Sequence, residues 1–328
     1  MDYSRIESSV DMDIIRNSHI VVIGAGGSYS LVTSLARTGI GKLTVIDFDR
    51  VDPSNVVRQG YKQSDIGKFK VDALGVEVKS INTDIQYAGL RKNLFYIKKK
   101  EIDQIFSEAD LLLFLTDDFH AQAYGNLLAL EYNKPAIWAG WYEQSRTCEL
   151  FFQVPDFTTA CFRCACSSRY IANEKEVVKA SSNSNTIFHS QLLDSFIGIT
   201  SLAILHRDFK NKIPRNIFGT WGGKELEDNK EYELFWEQMK MDDGTVPNFF
   251  QFKAHPLGGN KLFDNAYEHL GMTAHNFIPY WQKADAELII NGYDYDCPDC
   301  NGKLHHKCNN VADNQQQSTI NRKSNDNQ

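Results

Sequence analysis

The feature that most constrains this chain is an apolar run that ends in a glycine-rich loop. Residues 19–33 read HIVVIGAGGSYSLVT. A strand that stops at glycines and then opens a helix presents backbone N–H groups to an anion, and the helix dipole favours negative charge there. The pattern predicts that Gly24, Gly26 and Gly27 lie against a nucleotide phosphate. A dinucleotide fingerprint has a third glycine where this chain has Tyr29, so the loop is close to a nicotinamide site without being one.

Strands and helices alternate along the first part of the chain. Apolar runs predict strands at residues 18–23, 42–48, 86–95, 109–115, 135–139 and 148–154, and helices at residues 28–38, 71–81, 101–107, 120–132 and 187–206. This alternation is typical of an α/β fold with a doubly wound, Rossmann-like, mostly parallel sheet. Residues 167–186 are polar and predict an irregular crossing segment, and residues 286–295 predict a further strand. Residues 207–283 have no clear period.

The sequence predicts four parts. They are a nucleotide-binding core (1–160), a cysteine knuckle with a crossing segment and helix (161–206), a substrate or partner extension (207–308) and a disordered tail (309–328). A net charge of -7 over 328 residues argues against nucleic-acid binding by a basic surface. No uninterrupted apolar run reaches the ~20 residues of a membrane span. The first residues lack the basic start and apolar core of a secretory signal, so we expect a cytoplasmic protein.

Four of the seven cysteines form two C-x-x-C pairs, Cys161 with Cys164 and Cys297 with Cys300. Four thiolates make a closed tetrahedral site for Zn²⁺, which leaves the metal no open position for chemistry. The spacing therefore predicts a structural zinc site in a C-terminal extension clipped to the core. Two pairs of unrelated free thiols are the alternative.

Polar motifs follow the predicted strands in a fixed order. They are Gly24-Ala25-Gly26-Gly27, Asp47-Phe48-Asp49-Arg50-Val51, Ser54-Asn55-Val56-Val57-Arg58-Gln59, Gly67-Lys68-Phe69-Lys70 and Thr116-Asp117-Asp118. This order and spacing resemble the ThiF/MoeB family, which includes the adenylation domains of ubiquitin-activating enzymes. The resemblance covers roughly residues 1–205 and the second cysteine pair.

The resemblance implies an ATP-dependent adenylyltransferase that uses Mg²⁺. Such an enzyme moves AMP onto a carboxylate and releases pyrophosphate, which requires cations on the phosphates and a carboxylate for magnesium. By resemblance, the glycine loop, Asp49 and Gln59 lie in the nucleotide site and Asp47 holds the ribose. In the same way, Asn55, Arg58 and Lys70 contact the triphosphate, and Asp117 holds Mg²⁺.

Two positions depart from the family pattern. Tyr29 replaces a glycine, so the first turn of the helix or the shape of the pocket must differ. Asp118 stands where Asn is commonest, and a second acid either helps to bind metal or weakens nucleotide contact. At the start of the chain, Tyr3-Ser4-Arg5 resembles a family opening whose arginine reaches the triphosphate of a neighbouring subunit. That resemblance implies a homodimer with Arg5 as a catalytic residue; a disordered arm is the alternative.

The family implies that the substrate is the C-terminal carboxylate of a ubiquitin-like or sulfur-carrier protein, or else a ribosomally made precursor peptide in a natural-product pathway. Residues 167–186 contain no cysteine, which favours an enzyme that stops at the acyl-adenylate or passes it to an external nucleophile. A nicotinamide-dependent oxidoreductase and a non-catalytic scaffold are competing interpretations. Tyr29 and the set Asn55, Arg58 and Lys70 count against an oxidoreductase. The retained Arg58, Lys70 and Asp117 count against a scaffold.

Overall fold

One mostly parallel sheet organises the chain, and helices cover both of its faces. The structure is a computed structural model, which describes residues 1–7, 9–142, 147–155, 158, 160–175, 184–206, 248–253, 282–283 and 297–300. The strands of this part are β1 (His19–Ile23), β2 (Lys42–Ile46), β3 (Gln86–Leu90), β4 (Leu111–Phe114), β5 (Ala136–Tyr142), β6 (Thr147–Gln153), β7 (Phe249–Lys253) and β8 (Gln282–Lys283). The helices are α1 (Met12–Asn17), α2 (Tyr29–Thr38), α3 (Pro53–Val56), α4 (Lys70–Ile81), α5 (Lys99–Glu108), α6 (Phe119–Glu131), α7 (Phe162–Ala165), α8 (Ser167–Lys175) and α9 (Ile187–Leu205).

The strand order confirms the predicted doubly wound fold. Within the described ranges the sheet runs β3-β2-β1-β4-β5-β6-β7-β8. Pairing is parallel from β3 through β5 and antiparallel from β5 to β8. The order reverses between β1 and β4, so connections leave these neighbours towards opposite faces. In open α/β sheets a ligand binds outside the carboxyl ends of the strands at such a switch point.

Alternation along β1 builds a separate core on each face of the sheet. Ile20 and Val22 pack on the side of α2, α4 and α9, whereas Val21 and Ile23 pack on the side of α5 and α6. All five residues of β1 are buried. Burial on both faces explains why this strand is a continuous apolar run rather than an alternating one.

The segment after the first cysteine pair differs from the prediction. Residues 167–175 were expected to be irregular because they are polar, yet they form the helix α8. Two tertiary contacts stabilise it: the ring of Tyr170 is buried against Phe119 and Phe162, and Arg169 pairs with Glu149 of β6. Neither contact can be inferred from local propensity.

Several expectations lie largely or wholly outside the described residues. These are the strand at 286–295, the tail at 309–328 and most of the stretch 207–283. From that stretch, β7 and β8 continue the sheet next to β6. The four predicted domain boundaries stay predictions.

The helix α9 is long and apolar enough to cross a membrane, with a mean hydropathy of 1.3. Core helices of folded domains meet the same criteria. Here α9 packs on α2, β4 and β5, with Leu193, Ile197 and Ile204 buried in the core that it shares with Leu31 and Leu35. We therefore interpret α9 as a core helix.

A buried histidine makes the stability of this fold sensitive to acid. His206, which follows α9, is fully buried, and its Nε2 accepts a hydrogen bond from the Asp11 N–H at 3.0 Å. Its Nδ1 donates to the Leu202 carbonyl at 2.7 Å, so the bound form is the neutral imidazole. Burial lowers the pKa of His206. The unfolded chain takes up a proton near pH 6.5 while the folded chain does not, so stability is lost as the pH falls below that value.

We expect the free energy of unfolding to fall by about 1 kcal/mol more between pH 7.5 and 5.5 in the wild type than in His206→Leu. At pH 7.5 that variant should be less stable by about 2 kcal/mol, because two hydrogen bonds are lost. Denaturant unfolding at both pH values measures each quantity. An equal acid-induced loss in the two proteins would contradict the assignment to His206.

Candidate nucleotide-binding site

A cleft of about 280 Å³ opens at the carboxyl ends of β1, β2, β4 and β5. It lies at the switch point of the sheet, where a ligand is expected. Most of the residues predicted for the nucleotide site line it: Gly24, Gly26, Gly27, Asp47, Asp49, Arg58, Gln59, Lys70 and Asp117. The structure thus brings together side chains from four separate motifs.

The glycine loop is shaped by close backbone contacts. Gly24 has φ +98°, and a Cβ atom there would lie 2.5 Å from the Leu115 carbonyl oxygen, so glycine is required. At Gly27, by contrast, an added Cβ would meet nothing within 4 Å. The backbone at Gly27 therefore faces open space, where a ligand can approach closely.

Asp47 ties this loop to the chain that leaves β2. Its Oδ2 accepts a hydrogen bond from the Ala25 N–H at 2.7 Å, and its Oδ1 accepts one from the Asp49 N–H at 2.7 Å. Burial raises the pKa of Asp47, and the nearby Lys70 acts in the opposite direction. The carboxyl group is thus held in place at the wall of the cleft, where the resemblance places the ribose.

A buried lysine supplies positive charge on the same side. Lys70 is the first residue of α4, and its side chain is only 10% exposed. Its Nζ lies 2.8 Å from Oδ2 of Asp49, whose side chain is 50% exposed. Asp49 therefore holds Lys70 in the cleft, and a phosphate would compete with Asp49 for the ammonium group.

The segment with Arg58 and Gln59 lies between the glycine loop and α9. The N–H groups of both residues donate to the Asn55 carbonyl, and the Arg58 carbonyl accepts a hydrogen bond from Ser190 Oγ at 3.0 Å. The Gln59 side chain lies next to Gly26, where an added Cβ would be 3.1 Å from the Gln59 amide nitrogen. The backbone of this segment is thus held by α3 and α9, and the Gln59 side chain lies against the glycine loop.

Three predicted residues are not among the described residues that line the cleft. Asn55 is buried, and its side chain accepts a hydrogen bond from the Asp52 N–H at 2.9 Å, as part of the capping box of α3. Asp118 is the N-cap of α6 and accepts from the His120 N–H at 2.9 Å. Arg5 is exposed in the N-terminal turn. Their roles in nucleotide binding stay predictions.

Asp194 belongs to the site but was missed by the sequence analysis. It is 6% exposed, lines the cleft from α9, and its Oδ2 accepts the Leu31 N–H at 3.0 Å. The backbone of Ser30 also donates to it, and burial raises the pKa of the carboxyl group. The carboxyl group of Asp194 thus accepts hydrogen bonds from the first turn of α2. The sequence did contain one signal for Asp194, which is a single acidic residue within the apolar run IFHSQLLDSFIGITSLAIL.

An ion pair that the sequence analysis did not predict also borders the cleft. Arg169 of α8 lines the cleft and holds Glu149 with two contacts, Nη2 to Oε2 at 2.6 Å and Nη1 to Oε1 at 2.5 Å. The Glu149 side chain is 3% exposed. Two-pronged pairs of this kind have fixed geometry, so this contact attaches α8 rigidly to β6 beside the cleft.

The four knuckle cysteines converge in a buried cluster on the side of α6. All their sulfur atoms lie within 4.8 Å of one another, with Cys161 Sγ 3.6 Å from Cys164 Sγ and 3.8 Å from Cys297 Sγ, and Cys164 Sγ 3.7 Å from Cys300 Sγ. Tetrahedral Zn–S bonds of about 2.3 Å place sulfur atoms about 3.8 Å apart. The donor set and its spacing therefore fit Zn²⁺.

Neighbouring polar side chains orient the second cysteine pair, Cys297 with Cys300. Asn126 is fully buried, and its amide donates to Asp299 Oδ2 at 2.8 Å and contacts Cys161 Sγ at 3.7 Å. Arg163 donates to Asp299 Oδ1 at 3.1 Å. These contacts attach the segment 297–300 to α6 and α7.

An open, mostly parallel sheet with a polar cleft at its carboxyl edge defines a nucleotide-binding α/β protein. The chain belongs to the ThiF family, because the profile of that family matches residues 3–213. Over 178 residues it is 31% identical to ubiquitin-like modifier-activating enzyme 5 of Dictyostelium discoideum, covering 49% of this chain and 46% of that protein. Over 145 residues it is 30% identical to the probable adenylyltransferase/sulfurtransferase MoeZ of Mycobacterium tuberculosis, covering 43% and 36%. The chain therefore spans less than half the length of these curated relatives.

Solved structures share the fold. E. coli MccB, crystallised with AMPCPP and MccA, has a TM-score of 0.50 at 20% identity and covers 62% of this chain and 59% of that chain. The structure of PaaA has a TM-score of 0.55 at 13% identity, covering 84% and 75%. At these identities the likeness concerns the fold alone.

Proposed function

We propose that this chain is an ATP-dependent adenylyltransferase that activates a carboxylate as its acyl-adenylate. A carboxylate oxygen bonds to the α-phosphorus of ATP, the bond to the β-phosphate oxygen breaks, and pyrophosphate leaves. The observation that supports this best is the cleft itself, where Arg58 and Lys70 lie with Asp117 around one glycine loop. Positive groups facing a triphosphate stabilise the charge that develops on the leaving group.

The residues of the cleft have separate proposed roles. Lys70 and Arg58 bind the phosphates, Gln59 lies against the nucleotide, and Asp47 takes the ribose hydroxyl groups. Asp117 is exposed at the end of β4, and a carboxylate oxygen is the kind of ligand that Mg²⁺ takes. When bound, the metal would neutralise charge on the phosphates.

The N-terminus of α2 argues against a nicotinamide cofactor. In a dinucleotide site the pyrophosphate lies at the start of the first helix, where N–H groups are available. Here Asp194 accepts the N–H groups of Ser30 and Leu31. These N–H groups are therefore already hydrogen-bonded and not available to a pyrophosphate, whereas the Lys70 side of the cleft would attract one.

The proposed substrate is the C-terminal carboxylate of a ubiquitin-like or sulfur-carrier protein, or of a ribosomally made precursor peptide. The ThiF family membership supports this class. Cys148 is fully buried, which raises the pKa of its thiol and makes it a poor nucleophile. The proposal is therefore that the acyl-adenylate is the product, or passes to an external nucleophile. The products formed with each candidate substrate separate the alternatives.

We also propose that the chain acts as a homodimer. Arg5 is exposed and is not among the described residues that line the cleft of its own chain, so it is available to the cleft of a second copy. Light scattering should give the mass of two chains, and the mass of one chain would contradict the dimer.

Calorimetry with ATP and with NAD tests the proposed nucleotide. We expect wild-type protein to bind ATP at least about 100-fold more tightly than NAD, and Lys70→Ala to weaken ATP binding at least about tenfold, since a charge-assisted contact is lost. Lys68→Ala is the matched control. Lys68 lies two residues before Lys70 in sequence, but it pairs with Asp65 on the surface. Tighter binding of NAD, or equal effects of the two substitutions, would refute the proposed site.

A further inference from the structure

We infer that Tyr29 is a positioning residue for the segment that carries Arg58 and Gln59. Its ring is 7% exposed and meets the ring of Tyr61 edge-on, with centroids 4.7 Å apart. Gly60, which precedes Tyr61 in sequence, also packs against the Tyr29 ring. The inference rests on the proposed function only for the identity of the bound nucleotide.

The contact with Gly60 leaves no room for any other residue. A Cβ atom on Gly60 would lie 2.0 Å from Cδ1 and 2.3 Å from Cε1 of the Tyr29 ring. Because that ring is buried at the start of α2, it cannot swing aside as the end of a long side chain would. Tyrosine at 29 and glycine at 60 are therefore sterically matched.

Further contacts attach the same segment to the glycine loop. The hydroxyl of Tyr61 donates to the Ala25 carbonyl at 2.6 Å, and the Gln59 side chain lies against Gly26. The ring of Tyr29 thus fixes how close the backbone at Gly60 comes to α2. The side chains of Gln59 and Arg58, one and two residues before Gly60, are held at the cleft as a consequence.

This arrangement explains the departure of Tyr29 from the family pattern. In place of the third glycine of the loop, the chain has a large side chain that packs against the segment with Arg58 and Gln59. The third glycine of a dinucleotide loop allows close packing of helix and strand, and here the Tyr29 ring packs on Gly60 and Tyr61 instead. Tyr29 therefore acts on the nucleotide through Arg58 and Gln59.

A double-mutant cycle tests the inference. We expect Gly60→Ala to raise the KM for ATP at least tenfold, by lifting Arg58 and Gln59 away from α2, with a smaller change in kcat. Tyr29→Ala removes the contacting ring and should also raise the KM, whereas Tyr29→Phe keeps the ring and should leave the KM near the wild-type value. In the double variant with Tyr29→Ala and Gly60→Ala the added methyl group meets no ring, so the KM should rise by much less than the product of the two single increases.

Gly198→Ala is the matched glycine control, because its added Cβ would meet nothing nearer than Leu31 Cδ1 at 3.5 Å. Equal KM values for Gly60→Ala and Gly198→Ala, or single effects that multiply in full in the double variant, would overturn the positioning role. A general loss of stability would lower the active fraction, and hence kcat, without this coupling in the KM.

Limited trypsin digestion decides the inference without any nucleotide. Cleavage after Arg58, measured relative to cleavage after the exposed Arg91, should speed up at least about fivefold in Tyr29→Ala and in Gly60→Ala, and stay at the wild-type rate in Tyr29→Phe. Unchanged cleavage ratios would refute the role of Tyr29. If wild-type protein shows no pyrophosphate exchange, the proposed function fails while the digestion still decides this inference.

Discussion

Replacing Asp117 with asparagine should lower the rate of ATP–pyrophosphate exchange at least about 100-fold. The free energy of unfolding should stay within about 0.5 kcal/mol of the wild type, because the side chain is exposed. Asparagine keeps the size and one oxygen but removes the charge that a magnesium–phosphate group needs nearby. Exchange measured with a substrate that the wild type activates, alongside denaturant unfolding, gives both quantities.

The neighbouring acid offers a matched control. Asp118 caps α6, and asparagine caps helices as well as aspartate does. Asp118→Asn should therefore keep both stability and most of the exchange activity. If the two variants lost activity equally, charge at this edge of the sheet rather than the position of Asp117 would be responsible. Full activity of Asp117→Asn would refute its role in the reaction.

The parallel core and the glycine loop could be predicted because their signals are local. A strand buried on both faces is an uninterrupted apolar run, as in β1, and the turn after it needs glycine where φ is positive, as at Gly24. The motifs after β2 and β4 fall at the carboxyl edge of the sheet whatever the details of packing, so Asp47 and Asp117 could be assigned to one cleft.

The rest depended on contacts between distant parts of the chain. Asp194 reaches Leu31 from 163 residues away, and nothing near it in sequence indicates that partner. The same holds for α8, which is stabilised by Tyr170 and Arg169 rather than by its own propensity. In the structure, Asn55 belongs to the capping box of α3. The sequence could not predict this, because a short amide side chain can either complete a helix cap or bind a ligand, and spacing alone does not distinguish the two.

Replacing Cys297 with serine should abolish zinc binding at the four-cysteine cluster and lower the stability of the chain. Structural zinc sites contribute folding free energy directly, since the unfolded chain does not hold the four thiolates together. The cluster joins the segment 297–300 to α7, next to the buried Asn126. We expect a loss of about 3 kcal/mol or more, which for a domain of this size corresponds to about 6 to 12 °C in Tm.

Metal analysis of the purified protein should give about one zinc per wild-type chain and much less in Cys297→Ser. Cys166→Ala is the matched control, because Cys166 is also buried and near the first knuckle but is not part of the four-sulfur cluster. It should lose only the packing of one small side chain and keep its zinc. A strong chelator should lower the Tm of the wild type and of Cys166→Ala but not that of Cys297→Ser, since that variant has no zinc to lose. Equal Tm values for all three proteins with and without the chelator would show that the cysteines cluster without a metal, and that the hydrogen bonds of Asp299 to Asn126 and Arg163 hold the segment instead.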